Sequence, residues 1–178
     1  LQGNIVELTK LNYLSLGKNK LTELPKNIGN LVNLTYVHLE DNQLEELPND
    51  IGKLIKLKGL DLGNNRLLLL PDNIGNLINL DRLDLNDNQL KELPNTIGNL
   101  MKLTYVDLSR NQLKELPNDI GDLRDLARLF LADNKLTSLP KSIEKLKKLI
   151  VLHLENNPIS VKEQEKIKKL LPNCSIFF

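Results

Sequence analysis

The chain has 178 residues and a formal net charge of +1, since 24 Lys and Arg nearly balance 23 Asp and Glu, which argues against a nucleic-acid binder that depends on bulk electrostatics. Aromatic residues are only 3% of the chain, Trp is absent and the one cysteine is Cys174, which excludes an intrachain disulfide and a cysteine-based zinc cluster. No apolar run approaches the roughly 20 residues of a membrane span, and residues 1–30 lack a signal-peptide pattern, so we expect a soluble chain without membrane insertion.

A 23-residue repeat organises the chain as a single domain, 1–178. Each unit reads LxxLxLxxNxLxxLPxxIxxLxx, with Val37 and Val106 replacing Leu in two predicted strands. The phase is marked by Asn19, Asn42, Asn65, Asn88, Asn111, Asn134 and Asn157, and by Pro25, Pro48, Pro71, Pro94, Pro117 and Pro140. Residues 1–10 are the second half of a unit, because Leu1, Ile5 and Leu8 keep its spacing. Residues 11–148 hold six complete units, and residues 149–159 begin a seventh.

The two halves of the unit predict two kinds of backbone. In LxxLxL the closing leucines alternate with period two, which is typical of a half-buried strand. The asparagine that follows is expected to turn inward and hydrogen-bond the backbone of neighbouring units, so that the seven form a ladder. In LPxxIxxL the proline predicts a short helical or 3₁₀ turn, and the glycine after Ile in five units is expected to end it. No unit buries its leucines alone, so the units must stack.

Residues 160–178 depart from the repeat and predict a C-terminal cap. Position 163, where the next proline would stand, is Glu, and the segment from Ser160 to Glu163 fits a capping box. An amphipathic, lysine-rich helix is expected to follow, to stop at Pro172 and to precede a last strand at residues 174–178. We assign this helix to closing the stack rather than to membrane or calmodulin binding.

The repeat resembles the leucine-rich repeat family, and the resemblance covers nearly the whole chain. It implies an α/β fold: a right-handed, curved solenoid with a parallel β-sheet on the concave face, short helical or 3₁₀ turns on the convex side and a C-terminal helix-strand cap. The ELPxxIGxLxxL units and the KIKKLLPNCSIFF ending are similar to the leucine-rich repeat proteins of pathogenic Leptospira. That similarity implies a secreted or surface-displayed bacterial protein that contacts host molecules.

The third and fifth positions of LxxLxL point away from the core and recur once per unit. The third column reads Tyr13, Tyr36, Gly59, Arg82, Tyr105, Arg128, Val151, and the fifth column reads Ser15, His38, Asp61, Asp84, Asp107, Phe130, His153. Every Tyr and His lies in these columns. Strand propensity explains Tyr but not His, and aromatic enrichment marks binding surfaces. We therefore interpret the columns as a partner-binding surface formed by Tyr13, Tyr36, His38, Asp61, Arg82, Asp84, Tyr105, Asp107, Arg128, Phe130 and His153.

Two features of this surface call for an explanation. Phe130 is expected to point into solvent at the centre of the site, beside Tyr105 and Arg128, and the alternative is a self-contained cluster that binds nothing. The three aspartates of the fifth column are expected about 4.8 Å apart, where like charges cost about 0.2–1 kcal/mol per pair. Internal pairing with Arg82, Arg110 and Arg128 is one way to offset this repulsion.

The other way is that these aspartates, with Asp41 and Asp87 on the adjoining loops, contact Lys or Arg of a partner or a hard cation such as Ca²⁺. We place partner contact above metal, because an open sheet offers few convergent oxygens. A further apolar run, the four leucines at 67–70, is a minor contact candidate on an otherwise charged flank.

Catalytic arrangements are weakly represented. Two carboxylates about 5 Å apart match a retaining glycosidase, but such a pair needs a water-excluding cleft. His38 and His153 stand five repeats apart, too far to share one zinc ion, and glycine-rich phosphate loops are absent. We therefore expect a non-enzymatic protein-protein interaction module without cofactor or metal. The alternative is an intracellular scaffold or regulatory domain of a signalling protein in the cytoplasm.

Overall fold

The computed structural model describes residues 4–178. Within them, eight three-residue strands form one parallel sheet in chain order: β1 (Tyr13–Ser15), β2 (Tyr36–His38), β3 (Gly59–Asp61), β4 (Arg82–Asp84), β5 (Tyr105–Asp107), β6 (Arg128–Phe130), β7 (Val151–His153) and β8 (Ser175–Phe177). Short 3₁₀ turns precede the first seven strands: Asn4–Glu7, Ile28–Asn30, Asn49–Lys53, Asp72–Asn76, Asn95–Asn99, Asn118–Asp122 and Lys141–Lys145. One helix, α1 (Val161–Leu170), stands before β8. The predicted solenoid with its helix-strand cap is confirmed, while the placement of Leu1 in a leading half unit lies outside the described residues.

Strands β1–β7 each consist of the third, fourth and fifth residues of LxxLxL. Their middle side chains face the core, and the two outer ones face the opposite side. Pairing is in register, so residues 23 apart lie directly opposite one another, as Tyr13 and Tyr36 do. The middle residues of β3–β7 are at most 1% exposed. Equivalent residues of successive repeats therefore form columns across the sheet.

The core is a stack of aliphatic layers. Its fully buried side chains are Leu, Ile and Val throughout the described chain, including Leu34, Leu57 and Leu80 at 0% exposure. Burying one such side chain contributes about 1.5–3 kcal/mol. Because each layer is covered only by its neighbours, this stabilisation depends on stacking rather than on any one repeat.

The asparagine ladder is confirmed, and Asn88 shows its geometry. Its Nδ2 donates to the carbonyl oxygens of Leu62, Leu85 and Asn86 at 2.9, 3.1 and 3.1 Å, and its Oδ1 accepts the N–H of Leu67 at 2.9 Å. The same four contacts recur at every 23rd residue from position 42 to position 157. Asn19, the first of the seven, donates only to carbonyls of its own repeat among the described residues.

The glycine after Ile does not end the turn, so that expectation is wrong. Gly98 lies inside the turn Asn95–Asn99 and is buried. A Cβ on Gly98 would lie 2.6 Å from the carbonyl oxygen of Asp119 in the next turn. Glycine is therefore required by the close approach of adjacent turns. The last turn has Glu144 at this position, because the element packed against it there is α1 rather than another turn.

The cap covers the last repeat. α1 begins at the N-cap Ser160, whose hydroxyl accepts the backbone N–H of Glu163 at 3.3 Å. The Glu163 carboxylate turns to Lys166 at 3.1 Å, so one half of the predicted capping box forms. Ile167 of the helix is 0% exposed, and β8 pairs with β7 along its whole length.

Across residues 4–178, no helix has both the length and the apolar character needed to cross a membrane.

Candidate partner-binding surface

The outward side chains of the eight strands form one continuous surface, named here the concave surface. It comprises the third and fifth columns of β1–β7 together with Ser175 and Phe177, the outer residues of β8. All eleven residues proposed from the sequence lie on it, one or two to a strand. Neighbouring strands are about 4.8 Å apart, so successive side chains in a column lie within contact distance of one another.

The acidic centre of the surface consists of Asp61, Asp84 and Asp107, which are paired in register on β3, β4 and β5. Each carboxylate accepts the backbone N–H of the residue two positions further on: Gly63 at 3.1 Å, Asn86 at 3.2 Å and Ser109 at 2.9 Å. These local bonds hold all three carboxylates at the ends of their strands. Three like charges are thereby kept side by side.

Asp84 is 7% exposed although it faces the concave side. Burial raises the pKa of its carboxyl above the ordinary value of 3.8, and repulsion from Asp107 and Asp61 raises this pKa further. Hydrogen bonds from the backbone and side chain of Asn86 act in the opposite direction. The Asn86 amide donates to Asp84 Oδ1 at 2.6 Å. A cation that approaches Asp84 is attracted more strongly than it would be in water, because the surroundings are partly dry.

Internal pairing of the aspartates is confirmed for Arg82. Its Nη2 lies 3.5 Å from Asp84 Oδ2, and its guanidinium carbon lies 3.9 Å from the centre of the Tyr105 ring. The Tyr105 hydroxyl donates to Asp107 Oδ2 at 3.4 Å. Burial of the ring, followed by the charges of Asp107 and Asp84, raises the pKa of Tyr105. One arginine is thus shared between a carboxylate and an aromatic face.

The expected pairing with Arg110 and Arg128 does not occur at the acidic centre. Arg110 binds Asp87 on the adjoining loop, with nitrogen-oxygen distances of 2.6 and 2.7 Å. Arg128 is exposed on β6. Within residues 4–178, neither Asp61 nor Asp107 forms an ion pair with Arg or Lys, so the centre keeps an excess of negative charge.

An aromatic row, formed by Tyr105, Phe130, His153 and Phe177, crosses the C-terminal half of the surface. Successive ring centres are 5.2, 4.9 and 4.5 Å apart, and the last two pairs are stacked. Phe130 lies on the outward face as expected, but Tyr105 and His153 flank it and leave it half-buried rather than exposed. Such ring pairs contribute about 0.5–1.5 kcal/mol beyond area burial. At the end of the row, Phe177 remains 47% exposed.

Phe177 was missed by reasoning from the sequence. The repeat loses its phase before β8, so no column could be assigned there. The pairing of Phe177 with His153 extends the fifth column by one strand. The available signal was a Phe-Phe ending on a chain whose repeats bury no Phe.

The N-terminal end of the surface carries the remaining aromatic and histidine residues. The Tyr13 and His38 rings are 5.3 Å apart. The Tyr36 ring covers Gly59, since a Cβ on that glycine would lie 2.7 Å from Tyr36 Cδ1. His38 Nδ1 lies between two carboxylates, 3.9 Å from Asp61 Oδ2 and 3.9 Å from an oxygen of Glu40.

Two apolar features lie outside the concave surface. Of the leucine run at 67–70, Leu68 and Leu69 are 48% and 55% exposed, whereas Leu67 and Leu70 are buried in the core. A second set was missed in the sequence. In four repeats a leucine directly follows the 3₁₀ turn, and the residue after that leucine is apolar and 45–54% exposed: Val32, Ile55, Ile78 and Met101. Their 23-residue spacing was the signal that would have revealed them.

Comparison with known proteins identifies the class to which this architecture belongs. The family model for the leucine-rich repeat region matches residues 2–93 and 94–171, and the chain therefore belongs to the leucine-rich repeat family. A leucine-rich repeat protein of Leptospira interrogans is 37% identical with a TM-score of 0.59, over 98% of this chain and 56% of that one. The predicted resemblance to Leptospira proteins is confirmed.

Two further solved structures share the fold. An internalin of Listeria monocytogenes, InlF, is 26% identical with a TM-score of 0.81, over 97% of this chain and 49% of that one. The plant peptide hormone receptor RGFR1, in complex with RGF2, is 36% identical with a TM-score of 0.83, over 98% of this chain and 28% of that one. The chain thus spans about half, or less, of the length of these proteins. No curated protein matches the chain.

Proposed function

We propose that the protein is a non-enzymatic interaction module that binds an extended segment of a partner protein across its concave surface. The observation that carries the proposal is the aromatic row beside the acidic centre. The buried core is entirely aliphatic, so folding does not require these aromatic side chains. Aromatic groups that pack beside charged ones on an open face have the composition of an interface hot spot.

The two parts of the surface define the chemistry of the partner. The acidic centre favours a Lys or Arg side chain, and the aromatic row favours an apolar or aromatic one. Asp84 on β4 and Phe130 on β6 are two strand spacings apart, about 10 Å. An extended chain advances about 3.3 Å per residue, so the cation and the apolar group of the partner are about three residues apart. All eleven residues proposed from the sequence belong to this site, and Phe177 joins them.

Similarity to the Leptospira protein supports a secreted or surface location and contact with host molecules. The plant receptor in complex with RGF2 supports recognition of a polypeptide ligand by this fold. The second candidate, an intracellular scaffold or regulatory domain, rests on the same surface and differs in the source of the partner.

The test compares two single variants of the full chain. Phe130→Ala removes the centre of the aromatic row, and Leu68→Ala removes a leucine that is 48% exposed on a different face. Immobilised wild type, Phe130→Ala and Leu68→Ala are used to capture proteins from host extracellular matrix and from bacterial lysate. We expect one partner to be held by wild type and Leu68→Ala and released by Phe130→Ala, and its source decides between the two locations.

The captured partner is then purified and its affinity measured by calorimetry. Phe130→Ala should weaken binding by about 30-fold, which corresponds to the hot-spot threshold of about 2 kcal/mol. Its melting temperature should fall by only a few degrees, since two ring pairs are lost and the leucine core is unchanged. Unaltered affinity in both Phe130→Ala and Tyr105→Ala would remove the concave centre as the site, and a loss in Leu68→Ala alone would transfer the site to that flank.

A further inference from the structure

Three side chains with metal-binding atoms converge at the N-terminal end of the concave surface. His38 ends β2, and Asp61 ends β3 directly beside it. Glu40 follows His38 by two residues and returns to the same side of the sheet. The binding atoms of the three side chains all lie within 4.8 Å of one another. We name these residues the His38 cluster.

The distances within the His38 cluster are not those of hydrogen bonds. His38 Nδ1 is 3.9 Å from Glu40 Oε2 and 3.9 Å from Asp61 Oδ2, which exceeds the usual donor-acceptor range of about 2.7–3.2 Å. The other Asp61 oxygen is held by the N–H of Gly63 at 3.1 Å. The imidazole therefore stands between two carboxylates without bonding to either.

The chain contains its own control for this arrangement. His153 and Glu155 repeat the His-x-Glu spacing on β7, and there Nδ1 lies 2.7 Å from Glu155 Oε1 in an ordinary hydrogen bond. The neighbouring strand offers Phe177 in place of Asp61. The His-x-Glu pair therefore forms a hydrogen bond on β7, beside Phe177, and does not form one on β2, beside Asp61.

Glu40 supplies an independent observation. Its Oε2 atom is buried, and no donor among the described residues lies within hydrogen-bonding distance of it. Oε2 of Glu155 is also buried without a donor, but the other oxygen of that carboxylate bonds His153. The carboxylate lies against Gly17, where a Cβ would be 2.5 Å from its Cδ. The absence of a side chain at position 17 leaves room for the carboxylate beside His38. A buried carboxylate oxygen without a partner is costly, so a ligand that satisfies it is favoured.

We propose that His38, Glu40 and Asp61 bind a divalent transition-metal ion, with zinc as the best match. Zinc binds imidazole nitrogen and carboxylate oxygen at about 2.0–2.2 Å, so two ligand atoms on the same ion are roughly 3–4 Å apart. The distance from His38 Nδ1 to each carboxylate, 3.9 Å, lies in this range, and the whole set lies within 4.8 Å. The imidazole favours zinc over Ca²⁺ or Mg²⁺, which prefer oxygen ligands alone. Three protein ligands leave a coordination position for water. The nearby negative charge of Asp84, paired with Asp61, adds to the attraction.

The experiment exploits the fact that the chain has only two histidines. Full-length, tag-free protein labelled with ¹⁵N is titrated with ZnCl₂ and followed through its imidazole nitrogens. Zinc should shift the Nδ1 resonance of the His38 ring and leave the resonances of the His153 ring unchanged. The His38 resonance is assigned by its absence from the spectrum of His38→Ala. Calorimetry of the same titration should show one zinc ion bound per chain.

Three variants and one control test the ligands. Glu40→Gln and Asp61→Asn keep the shape of each side chain and remove its charge, and His38→Ala removes the imidazole. Each variant should weaken zinc binding by roughly tenfold or more, because mutating even a residue that only hydrogen-bonds a metal ligand typically lowers metal affinity by about 10–100-fold. His153→Ala should bind zinc as wild type does, and CaCl₂ or MgCl₂ should leave the His38 ring unshifted.

The proposal is overturned if zinc leaves the His38 ring unshifted, or if His153→Ala weakens binding as much as His38→Ala does. It is also overturned if Glu40→Gln and Asp61→Asn bind as tightly as wild type. Melting curves without metal establish that each variant is folded. The isosteric Glu40→Gln keeps the test valid if His38→Ala does not fold.

Discussion

Replacement of Asn88 by alanine tests the main polar support of the fold. Asn88 is 7% exposed, and its side chain bonds four backbone groups from two consecutive repeats. Alanine removes both the amide donor and the carbonyl acceptor and supplies neither. The aliphatic core around it keeps all of its side chains.

The magnitude follows from the groups that lose a partner. The N–H of Leu67 has Asn88 as its hydrogen-bond partner among the described residues. The carbonyls of Leu62, Leu85 and Asn86 also accept from the side chains of Asn65 and Asn111 and from the N–H of Asn64, respectively. A buried group left unpaired costs about 1–3 kcal/mol. One such group, the N–H of Leu67, gives an expected loss of about 1–3 kcal/mol, since the three carbonyls each keep another donor. This is a large share of the roughly 5–15 kcal/mol that stabilises a typical domain.

Asn19→Ala is the matched control, because Asn19 is exposed and bonds only to Leu16 and Gly17 of its own repeat. We expect it to cost less than about 1 kcal/mol. Urea unfolding followed by circular dichroism measures both variants. Equal losses in the two variants, or a loss below about 1 kcal/mol in Asn88→Ala, would refute the ladder as a source of stability.

Two further predictions concern the acidic centre and the cap. The raised pKa of Asp84 means that the native state holds this proton to higher pH than the unfolded state, so stability falls as pH rises from about 3.8 through the raised pKa. Asp84→Asn should therefore stabilise the fold at pH 7 by up to about 1 kcal/mol, because it removes the repulsion of two like-charge pairs and loses the partly exposed ion pair with Arg82. Below about pH 3 the substitution should have no effect on stability. Destabilisation at pH 7 in denaturant melts would contradict this prediction. Deletion of residues 160–178 should expose Leu152 and the β7 edge and produce aggregation or non-cooperative unfolding, and a monomeric, cooperative truncation in sedimentation and melting experiments would show that the cap is dispensable.

The strands, turns and asparagine ladder could be predicted because each is specified locally and repeated. The spacing of LxxLxL assigns one face to the core, and Asn88 is one of several copies that all require the same backbone partners. The C-terminal cap could be predicted in outline from Ser160 and Pro172, since capping and helix termination are local signals. The contribution of the cap to the concave surface could not be predicted, because the register of Phe177 is decided by pairing with β7 and not by its sequence neighbours.

The parts of the site that could not be predicted depend on distances between repeats. Arg110 and Arg82 were equal candidates for the acidic centre on the sequence alone. The structure separates them, because Arg110 lies at a loop position with φ of 54° and reaches Asp87. The contrast between His38 and His153 also depends on what the neighbouring strand carries at the fifth column. The repeated His-x-Glu spacing was visible in the sequence, but its two different outcomes were not.

The buried core and the outward columns occupy opposite faces of each strand, so the columns can change while the core is kept. Leu83 and Leu129 are 0% exposed, whereas Arg82 and Arg128, their neighbours in the chain, are exposed. A substitution in a column changes the chemistry of the part of the surface that one strand contributes, about 4.8 Å wide, and leaves the leucine packing intact. Relatives at 26% and 37% identity share the fold, and under the proposed function the partner is selected by the outward residues, two on each of eight strands. In this chain those residues change from acidic to aromatic between β3 and β8, so the proposed function predicts a partner that presents its cation and its apolar group in that order across the sheet.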